Sequence, residues 1–278
     1  MNKLFAVLLG AAIMLSLVAC SGSDEPKTEE VENVEVVVTM DAWANDGLST
    51  EQIQREGLYT GQVIDGVPNG SGRFDTNNNE GEPWYYEGDF ENGTFNGNGV
   101  CVWPESDPVI REAGTYVDGR LEPTLCELMS IIPSYTLNSF ELSEVSAEFI
   151  KAHENLFPCA SEDAIAEAIS LTDETIEYKH LTKNVTPYKE VLFCENGLEV
   201  VQVFEYGGFG YTYTWIYAVE PYNYEYNGYL FYYIGSVDVY EGDRIDVRAL
   251  PIAGGGFDNV SGGQTNVVTA LVSIMDVR

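Results

Sequence analysis

The amino-acid sequence predicts a mainly β protein with a minor helical part. A sheet of β-hairpins, a short helical connector and a C-terminal antiparallel β-barrel are expected to follow one another. Three observations lead to this prediction. Glycines and aromatic residues recur with offsets of 27 and 26 residues between positions 57 and 121. Two short segments with helical periodicity follow the repeat, and segments of strand character occupy most of the remaining chain.

Residues 1–19 have the layout of a secretory signal peptide. One lysine, Lys3, precedes an apolar run of 16 residues at positions 4–19. This run is shorter than the roughly 20 residues that a membrane-spanning helix needs. The sequence therefore predicts export rather than a permanent transmembrane helix.

The junction after this run, LVAC at positions 17–20, resembles the lipobox of bacterial lipoproteins. The resemblance implies cleavage before Cys20, a diacylglycerol on its sulfur, and anchoring at the extracytoplasmic face of the cell membrane. Two acyl chains, at about 0.8 kcal/mol per buried methylene, are sufficient for stable anchoring. An ordinary secreted protein with a chance cysteine and an uncleaved anchor are the alternatives.

Residues 20–40 are predicted to be the lipidated cysteine and an acidic tether, because positions 21–35 are acidic and lack aromatic residues. The whole chain has 45 acidic and 13 basic side chains, a net charge of −32. This charge repels phosphate groups, which argues against nucleic acid as a partner. The charge leaves several partners possible: cations, basic peptides, a neutral envelope glycan or a protein. The alternative is that the negative charge only keeps a surface protein soluble.

Residues 41–128 are predicted to form the hairpin sheet. The first copy of the repeat is Tyr-x-Gly-x-Val-x2-Gly-x3-Gly-x-Gly-x-Phe at 59–74, and the second, at 86–101, has Phe for Val and ends in Cys. A third, partial copy keeps Gly-x-Tyr-x2-Gly at 114–119. Alternation predicts strands with one aromatic face, and the Gly-x-Gly pair lets neighbouring rings pack closely. Since single hairpins are marginal, the copies must stack.

The second copy, YEGDFENG at 86–93 followed by Gly97 and Gly99, resembles the MORN repeat. The family implies a rigid interaction or spacer module that is sometimes linked to membranes. The third copy departs from the pattern, because Glu112 takes the aromatic position and Pro123 and Leu125 replace the Gly-x-Gly pair.

The loop DTNNNEG at 75–81 holds the extra residues between the first two copies. It resembles the start of an EF-hand calcium loop, in which oxygen ligands alternate. Candidate Ca²⁺ ligands are therefore Asp75, Asn77, Asn79 and Glu87. Because the glycine comes one position late, an exposed asparagine-rich connector is the alternative.

Residues 129–172 are predicted to be a helical connector with helices at 143–154 and 161–170, for which Ser143 and Ser161 are N-cap candidates. Residues 173–278 are predicted to form a small closed barrel, preceded by a helical turn or two at 176–184. The strands are expected at 190–194, 198–206, 211–219, 228–234, 243–250 and 266–276.

Two stretches of this last region, positions 178–203 and 242–277, resemble the opening and closing parts of OB-like domains in Gram-positive lipoproteins. The resemblance implies ligand binding on one face of the barrel without fixing the ligand.

Strand alternation places four aromatic residues on one face of the segment 211–219. A barrel interior has little room for four large rings from one strand, so part of this row is expected to bind an envelope glycan or a protein partner. The alternative is that the rings belong to the core. The four candidate ligand-binding residues are Tyr211, Tyr213, Trp215 and Tyr217.

Nothing in the sequence commits the chain to catalysis. Its two histidines, His153 and His180, lie in predicted helical segments, and the motifs of common hydrolases and nucleotide-binding enzymes are missing. The sequence therefore predicts a non-enzymatic binding or scaffolding protein; the alternative is an envelope carbohydrate hydrolase with an unidentified carboxylate pair. Four further cysteines permit two disulfides or buried free thiols: Cys101, Cys126, Cys159 and Cys194.

Overall fold

The computed structural model describes residues 26–43, 50–135, 140–221, 228–258 and 264–278. Strands form 57% of the described residues and helices 16%, which confirms the mainly β class. The predicted signal peptide and Cys20 lie outside the described residues.

The first half of the fold is one seven-stranded sheet with the strands in chain order from β1 to β7. The strands are β1 (Thr28–Trp43), β2 (Thr50–Ile64), β3 (Val67–Asn77), β4 (Pro83–Glu91), β5 (Thr94–Trp103), β6 (Ile110–Val117) and β7 (Arg120–Leu121). The three predicted copies are the hairpins β2–β3, β4–β5 and β6–β7, the last of which is truncated to a two-residue second strand.

Residues 28–43 form strand β1 and pair with β2. The predicted tether is therefore wrong for residues 28–40, which belong to the sheet. Val38 is fully buried, and Val34 and Val36 pack against the same aromatic core. These valines recur at every second residue, and the residues between them, Glu35 and Val37, face solvent. The acidic composition therefore concealed an amphipathic strand.

The tyrosine that opens each of the first two repeats lies directly on glycine backbone of the returning strand. Tyr59 and Tyr86 are fully buried. A methyl group on Gly72 would stand 2.2 Å from the Tyr59 hydroxyl oxygen, and one on Gly99 the same distance from that of Tyr86. Each hydroxyl donates to a backbone carbonyl three residues further on, at 2.8 and 2.9 Å. The Gly-x-Gly pairs are thus required by packing.

Strand β1 also runs past the turns of the second and third hairpins. The amide of Thr39 donates to the carbonyl of Gly93 at 2.9 Å, and the amide of Asp41 donates to that of Gly119 at 3.1 Å. These bonds hold β1 against the hairpin tips, so one face of the sheet is partly enclosed.

A capping box at Thr124 ends the third repeat and starts α1 (Leu125–Ile131), a helix that the sequence pattern did not predict. Ser143 and Ser161 are confirmed as N-caps of the next two helices. The remaining helices are α2 (Glu144–Ala152), α3 (Glu162–Ser170) and α4 (Tyr178–Lys183), with 3-10 turns at Ile132–Ser134 and Thr186–Tyr188.

The last five strands close into a barrel in the order β10-β12-β11-β8-β9, in which only β10 and β12 run parallel. They are β8 (Phe193–Gly208), β9 (Tyr211–Val219), β10 (Gly228–Ile234), β11 (Arg244–Asp258) and β12 (Gln264–Val277). β8 unites the two predicted strands 190–194 and 198–206. Gly197, which lies between these two predicted strands, has φ +69° beside an irregularity in the β8–β11 pairing.

Three apolar clusters hold these parts together. One lies within the sheet and one is built by all five barrel strands, as in a barrel interior. The third joins the helices α1, α2 and α3 to the outer side of the barrel. Phe209, in the β8–β9 turn, packs against both the sheet cluster and the helical cluster, and so connects the two halves.

We expect Gly99→Val to lower the thermal stability of the sheet strongly, because the added side chain overlaps the Tyr86 ring. Overpacking of this kind lowers the free energy of unfolding by about 3 kcal/mol. Gly255→Val is the matched control, since Gly255 also lies in a strand and a methyl group there would meet nothing within 4 Å. Equal melting temperatures for the two variants would contradict the ring-on-glycine contact.

Candidate functional site

A cavity of about 740 Å³ lies between the ends of β1 and β2, the enclosed face of the sheet and the β8–β9 turn. We call it the sheet cavity. Residues 207–212 supply the barrel side of its wall, and Met40, Asp41 and Arg55 supply the opposite side. Both halves of the chain therefore contribute to it.

Two indole rings form an aromatic wall of the sheet cavity. Trp84 at the start of β4 and Trp103 at the end of β5 stack with ring centroids 5.8 Å apart and an interplanar angle of 21°. Phe95 and Tyr116, both nearly fully buried, also line the cavity. The site thus offers flat apolar surfaces of the kind that hold ring-shaped ligands.

The cavity lies where the repeat pattern changes. Between the first two copies, Phe74 pairs with Tyr86 across β3 and β4. At the same register between the second and third copies, Cys101 pairs with Glu112 across β5 and β6, and both line the cavity. Two large rings are thus replaced by a thiol and a carboxyl group, which leaves space that the rings would fill.

Glu112 is a carboxyl group in an apolar setting. It accepts a hydrogen bond from the hydroxyl of Tyr135, while the Tyr116 hydroxyl donates to its backbone carbonyl at 2.8 Å. Burial raises the pKa of Glu112 above its ordinary value. Burial likewise raises the pKa of the Cys101 thiol, so this cysteine is not an activated nucleophile.

The cationic groups of the lining are engaged with neighbours. Arg120 lies 3.3 Å from a carboxylate oxygen of Glu122 and 3.8 Å from one of Asp41. The Nη1 of Arg55 donates to Asn79 at 3.0 Å, while its buried Nε has no hydrogen-bond partner in the part of the chain that the structure describes. These contacts fix both guanidinium groups at the wall.

The four predicted aromatic ligand residues have different positions. Tyr211 lines the sheet cavity, whereas Tyr213 is only 7% exposed and packs with α1 and α2. Trp215 is half-buried against the same cluster, and Tyr217 is half-buried further along the strand. Part of this row was expected to be exposed or under a partner; Tyr213 does not belong to that part, and ligand binding by the row stays a prediction. The helical connector itself covers this part of the barrel.

Two exposed rings of β8 were missed by sequence reasoning. Phe204 and Tyr206 are 44% and 42% exposed, and they contact Trp215 and Tyr213 across the strand pair. Their alternation with Val203 and Glu205 was the available signal.

The candidate calcium ligands are engaged with arginines or with strand pairing. Asp75 accepts two hydrogen bonds from Arg73, at 2.6 and 2.9 Å, and Glu87 lies 3.8 Å from the same guanidinium. Asn79 accepts from Arg55, and Asn77 ends β3 opposite Pro83. Among the described residues, no three His, Cys, Asp or Glu side chains are grouped to hold a metal ion. These contacts occupy oxygen atoms that calcium would need, and the calcium site stays an untested prediction.

The four cysteines after Cys20 are free thiols, which decides between the two alternatives left by the sequence. Both histidines have structural partners: His153 bonds Glu167 at 2.7 Å, and His180 accepts from the amide of Glu177 at 3.1 Å.

The MORN repeat family matches residues 59–80 and 86–107, which confirms the first two copies of the repeat. MORN repeats indicate a binding or scaffolding role. No curated protein and no solved structure is significantly similar to the chain. In the described part of the chain, no helix has the length and apolarity to cross a membrane.

We expect Tyr213→Ala to lower the free energy of unfolding by about 3 kcal/mol, as for other large buried rings. Phe204→Ala on the neighbouring strand should change it by less than about 1 kcal/mol, because that ring is exposed. Urea denaturation of the two variants measures the difference. A Tyr213→Ala variant as stable as the wild type would contradict its place in the core.

Proposed function

We propose that this protein is a non-enzymatic binding protein of the cell surface, anchored through a lipid on Cys20, and that the sheet cavity is its binding site. The observation that carries the proposal is the replacement of a ring pair by Cys101 and Glu112 where the cavity opens. The volume of the sheet cavity, about 740 Å³, lies within the range of about 300–1,000 Å³ that is typical of ligand pockets.

The β8–β9 turn supports this location. A closed barrel of five strands is the architecture of OB-like domains, and we assign the barrel to that class. In such domains the loop between the first two strands takes part in ligand binding. The corresponding turn here, at Phe209 and Gly210, lines the sheet cavity.

The proposed anchor rests on the signal-like segment and the lipobox resemblance at positions 1–20. Since β1 begins at Thr28, the chain between Cys20 and the sheet spans at most about 30 Å when fully extended. The folded part would then stand close to the membrane, so an envelope glycan or a neighbouring surface protein is within reach of the site.

A carbohydrate hydrolase is the second candidate, because two carboxyl groups in different surroundings line one cavity. Glu112 is half-buried, with a raised pKa suited to a general acid, and Asp41 lies beside Arg120. Release of reducing ends from purified cell-wall glycan by the wild type, abolished in both Glu112→Gln and Asp41→Asn, would favour the hydrolase over the binding protein.

For the anchor, we expect Cys20→Ala to move the protein from the detergent phase to the aqueous phase and to block normal processing. The thiol is the attachment point of the lipid, and a mature chain without acyl groups loses its membrane affinity. Phase partitioning followed by mass spectrometry measures both effects. Retention of the variant in the membrane would contradict lipidation.

For the site, a photoreactive residue at Thr212, on the cavity wall, should cross-link an envelope component in intact cells. Cys101→Phe should abolish this product, because phenylalanine restores the ring found at the equivalent Phe74 and occupies the part of the cavity beside Glu112. The same photoreactive residue at Thr182, an exposed threonine of α4, is the control. A product that persists in a folded Cys101→Phe variant would place the ligand elsewhere.

A further inference from the structure

Resting on the proposed binding function of the sheet cavity, we propose that its ligand is an organic cation: an ammonium group carried on an apolar ring or chain. The residues that point to this class are Glu112, which has no cationic partner among the described residues, and the aromatic groups around it.

The carboxyl group of Glu112 is the first part of this inference. Within the described residues it forms no salt bridge, and its side chain accepts a hydrogen bond from Tyr135. An ionised carboxylate in such surroundings is costly unless a positive charge lies beside it. A bound ammonium group would provide that charge from within the cavity.

The aromatic lining is the second part. The stacked indoles of Trp84 and Trp103 and the ring of Tyr116 line the same cavity as Glu112. Aromatic faces carry negative potential and attract cations, most strongly when water is excluded. Indole rings next to a carboxylate are therefore suited to an ammonium group with apolar substituents.

The charges around the cavity are the third part. Asp41 and Glu122 offset the charge of Arg120, whereas Arg55 donates to the backbone carbonyl of Asn77 and the amide oxygen of Asn79, which carry no charge. The chain as a whole has a net charge of −32, which draws cations towards it and repels anions.

Ligand binding should be linked to the ionisation of Glu112. The titratable groups that interact with it are Cys101 from β5, Tyr116 from β6 and Tyr135, which follows the first 3-10 turn. Burial raises the pKa of all three, so each is uncharged near neutral pH. A permanent cation favours ionised Glu112, and its affinity should therefore rise as the pH increases through the pKa of this residue.

The experiment compares two probes of similar ring size by calorimetry: benzyltrimethylammonium, which is charged at every pH, and neutral benzyl alcohol. At pH 8 the wild type should bind the cation at least about tenfold more tightly than the alcohol, and this preference should shrink at pH 5. Glu112→Gln should remove the preference and its pH dependence.

Glu195→Gln is the matched control. Glu195 also has a pKa raised by burial and also accepts a hydrogen bond from a tyrosine hydroxyl, that of Tyr229, but it belongs to the barrel. This variant should keep both the preference and its pH dependence. If Glu112→Gln fails to fold, the pH dependence of the wild type alone decides, since a preference that does not change between pH 5 and pH 8 would overturn the inference.

The outcomes separate this inference from the proposed function. Equal binding of both probes by the wild type, lost in Cys101→Phe, would overturn the cation preference while supporting the cavity as a binding site. Failure of both probes to bind, or equal cation binding by the wild type and Cys101→Phe, would overturn both.

Discussion

The contact between a tyrosine ring and the glycine backbone of the returning strand determines the geometry of the sheet. Tyr59 lies on Gly72 and Tyr86 on Gly99, each so close that a methyl group on the glycine would overlap the ring. Because each hydroxyl is also bonded to a backbone carbonyl, no polar atom of the ring is buried without a partner. The rings then pack edge-on against Phe90, which joins the two copies.

The sheet cavity follows from an interruption of this aromatic series. Cys101 and Glu112 take the positions that Phe74 and Tyr86 occupy one repeat earlier. Strand β1, held at the hairpin tips, and the β8–β9 turn enclose the space from outside. The same interruption provides the contact of Glu112 with Tyr135, in the segment that leads from the sheet to the helices.

The sequence predicted features that depend on local pattern. The two complete repeats, the bounds of β9 and β10, and the caps Ser143 and Ser161 follow from glycine spacing, alternation and side-chain capping. Strand β1 was missed because its valines stand among acidic residues. The prediction of a tether relied on that acidic composition and not on the alternation of the valines at every second position.

Features that depend on long-range packing could not be predicted. Nothing local to Tyr213 shows that α1 and α2 cover it, so Tyr213 was counted among the candidate ligand-binding rings. The substitution at Glu112 was visible in the sequence as a departure from the repeat. Its consequence was not, because the cavity requires β1 and the distant β8–β9 turn as walls.

Crystallography under xenon pressure tests most directly whether the interrupted aromatic series leaves an open apolar site. Xenon occupies apolar cavities without needing a specific ligand. We expect a xenon atom against Trp84 and Trp103 in the wild-type crystal, and none at this position in Cys101→Phe. A wild-type crystal in which Glu112, Tyr135 or the β8–β9 turn fills this space, with no xenon bound, would contradict the account.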